Sequence, residues 1–190
     1  GHYVVAFGGF NRVAKLTPAG NLLLVVDPST IQFPEAIGIN SATEDVWIAG
    51  TSFAGDNLHI PRLVKLNKNG VQLFSRDTGS QFINVAVDSD DGSVWLSNIQ
   101  SGPVTKLNAS GAEVASVIFG RTAQPTQIGL NRQTKNLWIM DQMAGLVQVN
   151  SSGVILKTIS GLHNRAATPL TEHLANIAVY YPTIPIPDTI

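Results

Sequence analysis

The chain has no cysteine. Disulfides and thiolate metal sites are therefore excluded, and the fold must be held by burial and hydrogen bonding. Charge is scarce too: Asp, Glu, Lys and Arg make up 13% of the 190 residues, about half the usual share. Long helices carry many Glu and Lys on their wet faces, so this scarcity points to β structure. The formal net charge of −1 gives no electrostatic footing for nucleic acid or an acidic membrane surface. No apolar run approaches the ~18 residues that a membrane span needs. The sequence opens at Gly1 and its two methionines are Met140 and Met143. It reads as a mature or truncated product, which signal-peptide removal and a cut from a longer chain explain equally.

What is present is repetition. Val13-Ala14-Lys15-Leu16-Thr17-Pro18-Ala19-Gly20 returns as Leu63-Val64-Lys65-Leu66-Asn67-Lys68-Asn69-Gly70, as Val104-Thr105-Lys106-Leu107-Asn108-Ala109-Ser110-Gly111 and as Leu146-Val147-Gln148-Val149-Asn150-Ser151-Ser152-Gly153. All three tryptophans fall in one slot, Val46-Trp47-Ile48, Val94-Trp95-Leu96 and Leu137-Trp138-Ile139. Each is preceded by a short apolar run with a small central residue: Gly38, Ala86 or Gly129. A fourth copy of that run, centred on Ala178, has no tryptophan after it. The period is that of propeller blades, about 40–50 residues.

Each unit divides into four β-type runs separated by turn residues. The small residue suits a crowded innermost strand. The tryptophan suits a gap between neighbouring sheets. The K-N-G, A-S-G and S-S-G turns use glycine for positive φ. The fold expected is all-β: a β-propeller of four-stranded blades of about 45 residues each. Blades fall at 33–77, 82–119 and 125–160. A composite fourth is built from 1–27, which supplies the second to fourth strands, and 173–181, which supplies the innermost one. That arrangement is the velcro closure of a ring and removes an open sheet edge. One domain thus spans 1–181. The remainder, 182–190, is a proline-rich extended tail.

The motifs Pro34 through Ala49 and Ser101 through Glu113 resemble NHL-type propeller repeats. The similar proteins are exported bacterial ones, streptogramin-lyase-like propellers among them. The resemblance covers nearly the whole chain, and its motifs are blade scaffolding, specific for fold and poor for function. It implies export, to an extracellular or periplasmic location. Family members commonly have about six blades, so four is a departure, the alternative being that this chain is part of a larger ring or assembly. The lyase resemblance also implies an eliminating enzyme with histidine and a divalent metal, but no residue here matches those motifs, and none is carried over.

In a propeller, the connections between second and third strands share one face with those between blades. The stretch 51–62 is enlarged relative to its counterparts and is expected to be a long loop carrying Asp56, Asn57 and His59. The connection 161–174 holds His163, Arg165, Glu172 and His173, and Arg121 lies in another inter-blade loop. His59, His163, Glu172 and His173 are the candidate acid, base or ligand groups. Arg121 and Arg165 are candidate binding residues. The competing reading is that long loops collect polar residues because they are wet. Asn84, Gln127 and Asn176 stand two residues before the small residue of the innermost strand and are candidate ligand-binding residues at the channel entrance; the competing reading is that they satisfy buried backbone groups and water.

Asp88 to Gly92 has a superficial likeness to a calcium loop, but Gly92 arrives one position early, and a β-turn is expected. Asn108 and Asn150 begin N-x-S sequons at equivalent turns, where the same residues are also good hairpin chemistry. No phosphate-cradling glycine motif, G-x-S-x-G or H-E-x-x-H occurs, so no metal site or cofactor is assigned. The function expected is a non-catalytic exported binding or assembly module with a protein or glycan partner and self-association through the 182–190 tail. The alternative is a streptogramin-lyase-like or lactonase-like enzyme on the loop face.

Overall fold

The computed structural model describes residues 2–7, 12–26, 31–54, 58–98, 102–118 and 124–160. Among these there are fifteen strands and no helix. Hence no helix is long and apolar enough to cross a membrane. The strands form four antiparallel sheets. Blade 1 holds β1 (Tyr3–Phe7), β2 (Arg12–Leu16) and β3 (Leu22–Val26). Blade 2 holds β4 (Phe33–Ile39), β5 (Val46–Ala54), β6 (Leu58–Leu66) and β7 (Gln72–Asp77). Blade 3 holds β8 (Phe82–Val87), β9 (Val94–Asn98), β10 (Val104–Leu107) and β11 (Glu113–Val117). Blade 4 holds β12 (Pro125–Leu130), β13 (Leu137–Asp141), β14 (Gly145–Val149) and β15 (Ile155–Ile159). Blade 1 is three-stranded and the others are four-stranded, each in simple meander order. The expected closing strand within 173–181 and the tail lie outside the described residues.

The outer hairpin of every blade ends on the glycine read from the sequence. Gly20, Gly70, Gly111 and Gly153 take φ of 83°, 80°, 87° and 83°, the left-handed region that glycine enters without steric cost. The turn asparagines fold back on their own backbone. Asn67 Oδ1 accepts from Asn69 and Val71 N–H, Asn108 Oδ1 from Ser110 and Ala112 N–H, and Asn150 Oδ1 from Ser152 and Val154 N–H. Asn67 is not in a sequon and does the same work as Asn108 and Asn150, so the hairpin explains that residue type by itself. Asp88 to Ser93 is a turn, closed by Gly92 N–H to Asp88 C=O and Asp88 N–H to Ser93 C=O.

Consecutive blades pack side by side, β1 against β4, β4 against β8 and β8 against β12. The central glycine of β4 is required there. A Cβ on Gly38 would sit 2.7 Å from Val85 Cγ1 and 2.8 Å from Val87 Cγ2 of the next blade. Between blades 2 and 3, Trp47 is fully buried with Leu63, Val87, Val94 and Leu107. Trp95 fills the same place between blades 3 and 4, with Val117, Leu137 and Val149.

The lysine opposite two of the three tryptophans explains the V-x-K-L motif. Trp47 pairs across the ladder with Lys65, and Trp95 with Lys106. Each ammonium lies over its indole ring, 5.3 Å and 5.8 Å from the centroid, and then reaches a main-chain carbonyl in the next blade's hairpin turn. Lys65 Nζ donates to Ala109 C=O at 3.2 Å and Lys106 Nζ to Ser151 C=O at 3.4 Å. In blade 1, Lys15 Nζ donates to Lys68 C=O at 3.4 Å. The fourth tryptophan-type slot pairs Trp138 with Gln148, and Trp138 is only half-buried.

A candidate cleft on the extended hairpin of blade 2

The stretch 51–62, expected as a loop, is mostly strand. The β5–β6 ladder continues through Thr51↔Pro61, Ser52↔Ile60, Phe53↔His59 and Ala54↔Leu58. Its alternation of apolar and polar residues allows the ladder to continue, so the inserted residues lengthen a hairpin. Asp56 and Asn57 lie outside the described residues. The extension is braced from below. Gln32 N–H donates to Thr51 C=O, and Phe53 N–H donates to Gln32 Oε1 at 2.9 Å. Thr78 N–H donates to Pro61 C=O, and Arg62 Nε donates to Asp77 Oδ1 at 2.7 Å.

This hairpin carries an aromatic row. Phe33 at the start of β4 meets Phe53 edge-on with ring centroids 5.1 Å apart, and Phe53 meets His59 edge-on at 4.5 Å. Both spacings lie in the favourable range for aromatic pairs. Glu35, Thr51, Pro61 and Gln81 complete a cleft of about 310 Å³. Gln81 Nε2 donates to both carboxylate oxygens of Glu35, at 2.6 and 2.7 Å. Phe33, Glu35 and His59 are exposed. The cleft thus offers ring faces beside a carboxylate and an amide, a combination that can stack on one side of a ligand and hydrogen-bond its edge. In blades 3 and 4 the corresponding hairpins, β9–β10 and β13–β14, lack the extension.

Of the candidates named from sequence, His59 stands in this cleft. His163, Arg165, Glu172, His173, Arg121 and Asn176 lie outside the described residues. Asn84 is engaged as a tie between blades: its Nδ2 donates to Ser97 Oγ at 3.0 Å and to Thr126 C=O of β12 at 2.7 Å. Gln127 is half-buried on β12, paired in register with Met140. Asn108 and Asn150 sit in the hairpin turns described above.

Phe33, Glu35, Phe53 and Gln81 were missed by sequence reading. Phe33 stands exposed at the start of β4, and the extension of the β5–β6 hairpin brings the half-buried Phe53 against it. Asp141, 1% exposed, was missed as well. Its Oδ1 accepts from Met143 and Ala144 N–H at 2.8 and 2.7 Å, capping the turn into β14.

On the opposite face, ion pairs join neighbouring blades. Lys15 Nζ lies 2.5 Å from Glu44 Oε2, and His2 Nδ1 lies 3.2 Å from Glu44 Oε1. The hydrogen bond from Lys15 holds the Glu44 carboxyl below its ordinary pKa. Lys135 donates to Asp88 and Asp90, and those bonds raise its pKa. Glu44 and Lys135 occupy the same turn position as Gly92, and all three are left-handed, with φ of 61°, 61° and 71°.

No family model matches the chain, and no curated protein matches it. Solved structures do. A streptogramin B lyase structure superimposes with a TM-score of 0.61 at 20% identity, over 80% of this chain and 52% of that one. A catalytically inactive virginiamycin B lyase from Staphylococcus aureus, solved with quinupristin, gives 0.66 at 17% identity over 87% and 54%. A protein of unknown function from Bacteroides caccae gives 0.59 at 15% over 84% and 57%. The chain is β-propeller in fold, similar to the streptogramin B lyase-like propellers. It spans about half the length of each of these proteins.

Proposed function

We propose that the chain is a non-catalytic binding propeller whose ligand site is the cleft of the extended β5–β6 hairpin, and that its ligand is a glycan. The observation that carries this reading is the row Phe33–Phe53–His59 beside the Glu35–Gln81 pair, on the one blade whose hairpin is longer than those of blades 3 and 4. Sugar rings present an apolar face to aromatic rings and hydroxyl groups to carboxylates and amides. Screening the protein on immobilised glycans, alongside F53A and H59A, tests it. The wild type is expected to bind a restricted set, and both variants to lose at least ten-fold in affinity. A wild type that retains no glycan, or variants that bind as well as it does, would refute the assignment. In the same proposal the repeats are of NHL type, the protein is exported, the ring is closed by a strand from 173–181, and 182–190 mediates self-association.

A second reading has one observation in its favour, the similarity in fold to two lyases. It places an eliminating site on the loop face, with His59, His163, Glu172 and His173 as its groups. Incubation with quinupristin, the compound in one of those structures, followed by mass spectrometry decides it: a ring-opened product supports the lyase reading, and unchanged compound rejects that substrate.

A further inference from the structure

The interface between blades 1 and 2 differs from the next two at the position that faces the motif lysine. The position that pairs with the motif lysine is tryptophan in blade 2 (Trp47↔Lys65) and blade 3 (Trp95↔Lys106), but valine in blade 1 (Val4↔Lys15). The surrounding pieces correspond. Leu24 and Val26 of β3 press on Gly70 of the next blade, as Phe74 of β7 presses on Gly111. Lys15 makes the same carbonyl bond as Lys65 and Lys106. What is missing is the ring. In its place is an open pocket of about 130 Å³, with an apolar floor of Val4, Val13, Leu24, Val26, Val46 and Leu66 and a polar rim that includes Lys15, Glu44 and Asn67.

From this we propose that the slot beside Val4 is a binding site for a small planar aromatic molecule, up to the size of indole. The two neighbouring interfaces show an indole ring accommodated in the same frame, with an ammonium over its face. Lys15 supplies that ammonium here, held at the rim by Glu44 at 2.5 Å, with His2 beside it. The buried Trp47 Nε1 has no hydrogen-bond partner among the described residues. The frame therefore recognises the ring through packing and the cation. The occupant is a neutral aromatic selected by shape.

Indole itself is the probe, titrated into the full chain and followed through methyl resonances. Saturable shifts are expected at Val13, Leu24, Val26, Val46 and Leu66, with an affinity about millimolar for so small a ligand. V4W, which restores the internal ring, is expected to weaken that binding at least ten-fold. L24F, which copies Phe74, provides a second block should V4W fail to fold. The proposal is overturned if those methyls show no saturable shift, if both blocked variants bind as the wild type does, or if the shifts fall instead on exposed outer-strand residues such as Leu73 and Val114.

Discussion

Removing the ring from a filled slot should reproduce, at a known cost, the gap that blade 1 already contains. Trp95 is 1% exposed and closes the interface between blades 3 and 4. In W95V the vacated space is expected to approach the pocket of about 130 Å³ found beside Val4. At about 24 cal/mol per Å³ of residual cavity, that is roughly 3 kcal/mol. The apolar area that tryptophan buries beyond valine adds about 2 kcal/mol. Partial collapse of the interface brings the expected loss to about 3–5 kcal/mol, the range seen for truncating large core aromatics. W138V is the internal comparison. Trp138 is half-buried and pairs with Gln148 in place of lysine, so its loss should be about half as large. Urea denaturation followed by far-ultraviolet circular dichroism measures both, with two tryptophans left in each variant. A W95V loss below about 1 kcal/mol, or a W138V loss equal to it, would refute the view that these rings wedge the blades together.

Two further outcomes follow from the inter-blade bonds. N84A removes the tie from β8 to Thr126 C=O and should cost about 1–2 kcal/mol in the same assay, leaving the hairpin cleft unchanged. Lys135, whose pKa lies above its ordinary value of 10.5 because it donates to Asp88 and Asp90, should make stability fall in alkali. Below that ordinary value the ammonium is charged in both folded and unfolded chains and its contribution is complete; it is lost as pH rises through the higher folded value. The stability difference between wild type and K135M should therefore hold from pH 7 to 10 and shrink above that, and a difference unchanged to pH 12 would count against the pair.

The scaffold was legible because its parts are local and repeated. The hairpin glycines answer to a backbone demand within one repeat, and the tryptophan slot and the small residue of the innermost strand meet the next blade in the same way each time they recur. The lysine of V-x-K-L was visible as a motif but not as a link, because its acceptor lies in the next blade. The candidate cleft was legible only in part. The insertion at 51–62 marked the right blade, and His59 the right hairpin. Whether inserted residues loop out or extend a ladder depends on partners across the strand, here Phe53↔His59, and no spacing rule reports that. Phe33 and Phe53 carried no sequence signal, because a hydrophobic pattern does not show how far a sheet continues beyond its neighbours. Asn84 gave the opposite lesson: a polar residue near the axis was claimed by the backbone of β12, as buried amides usually are.

The lysine links end on carbonyls of Lys68, Ala109 and Ser151, three residues with nothing in common but a peptide bond. An acceptor of that kind is supplied by any amino acid. The hairpin rim can therefore accumulate substitutions over evolutionary time without loosening one blade from the next, provided that the left-handed glycine beside it stays. The side chains at those three carbonyl positions are in that sense free to vary, while the turn asparagines and the ion pairs beside them are not.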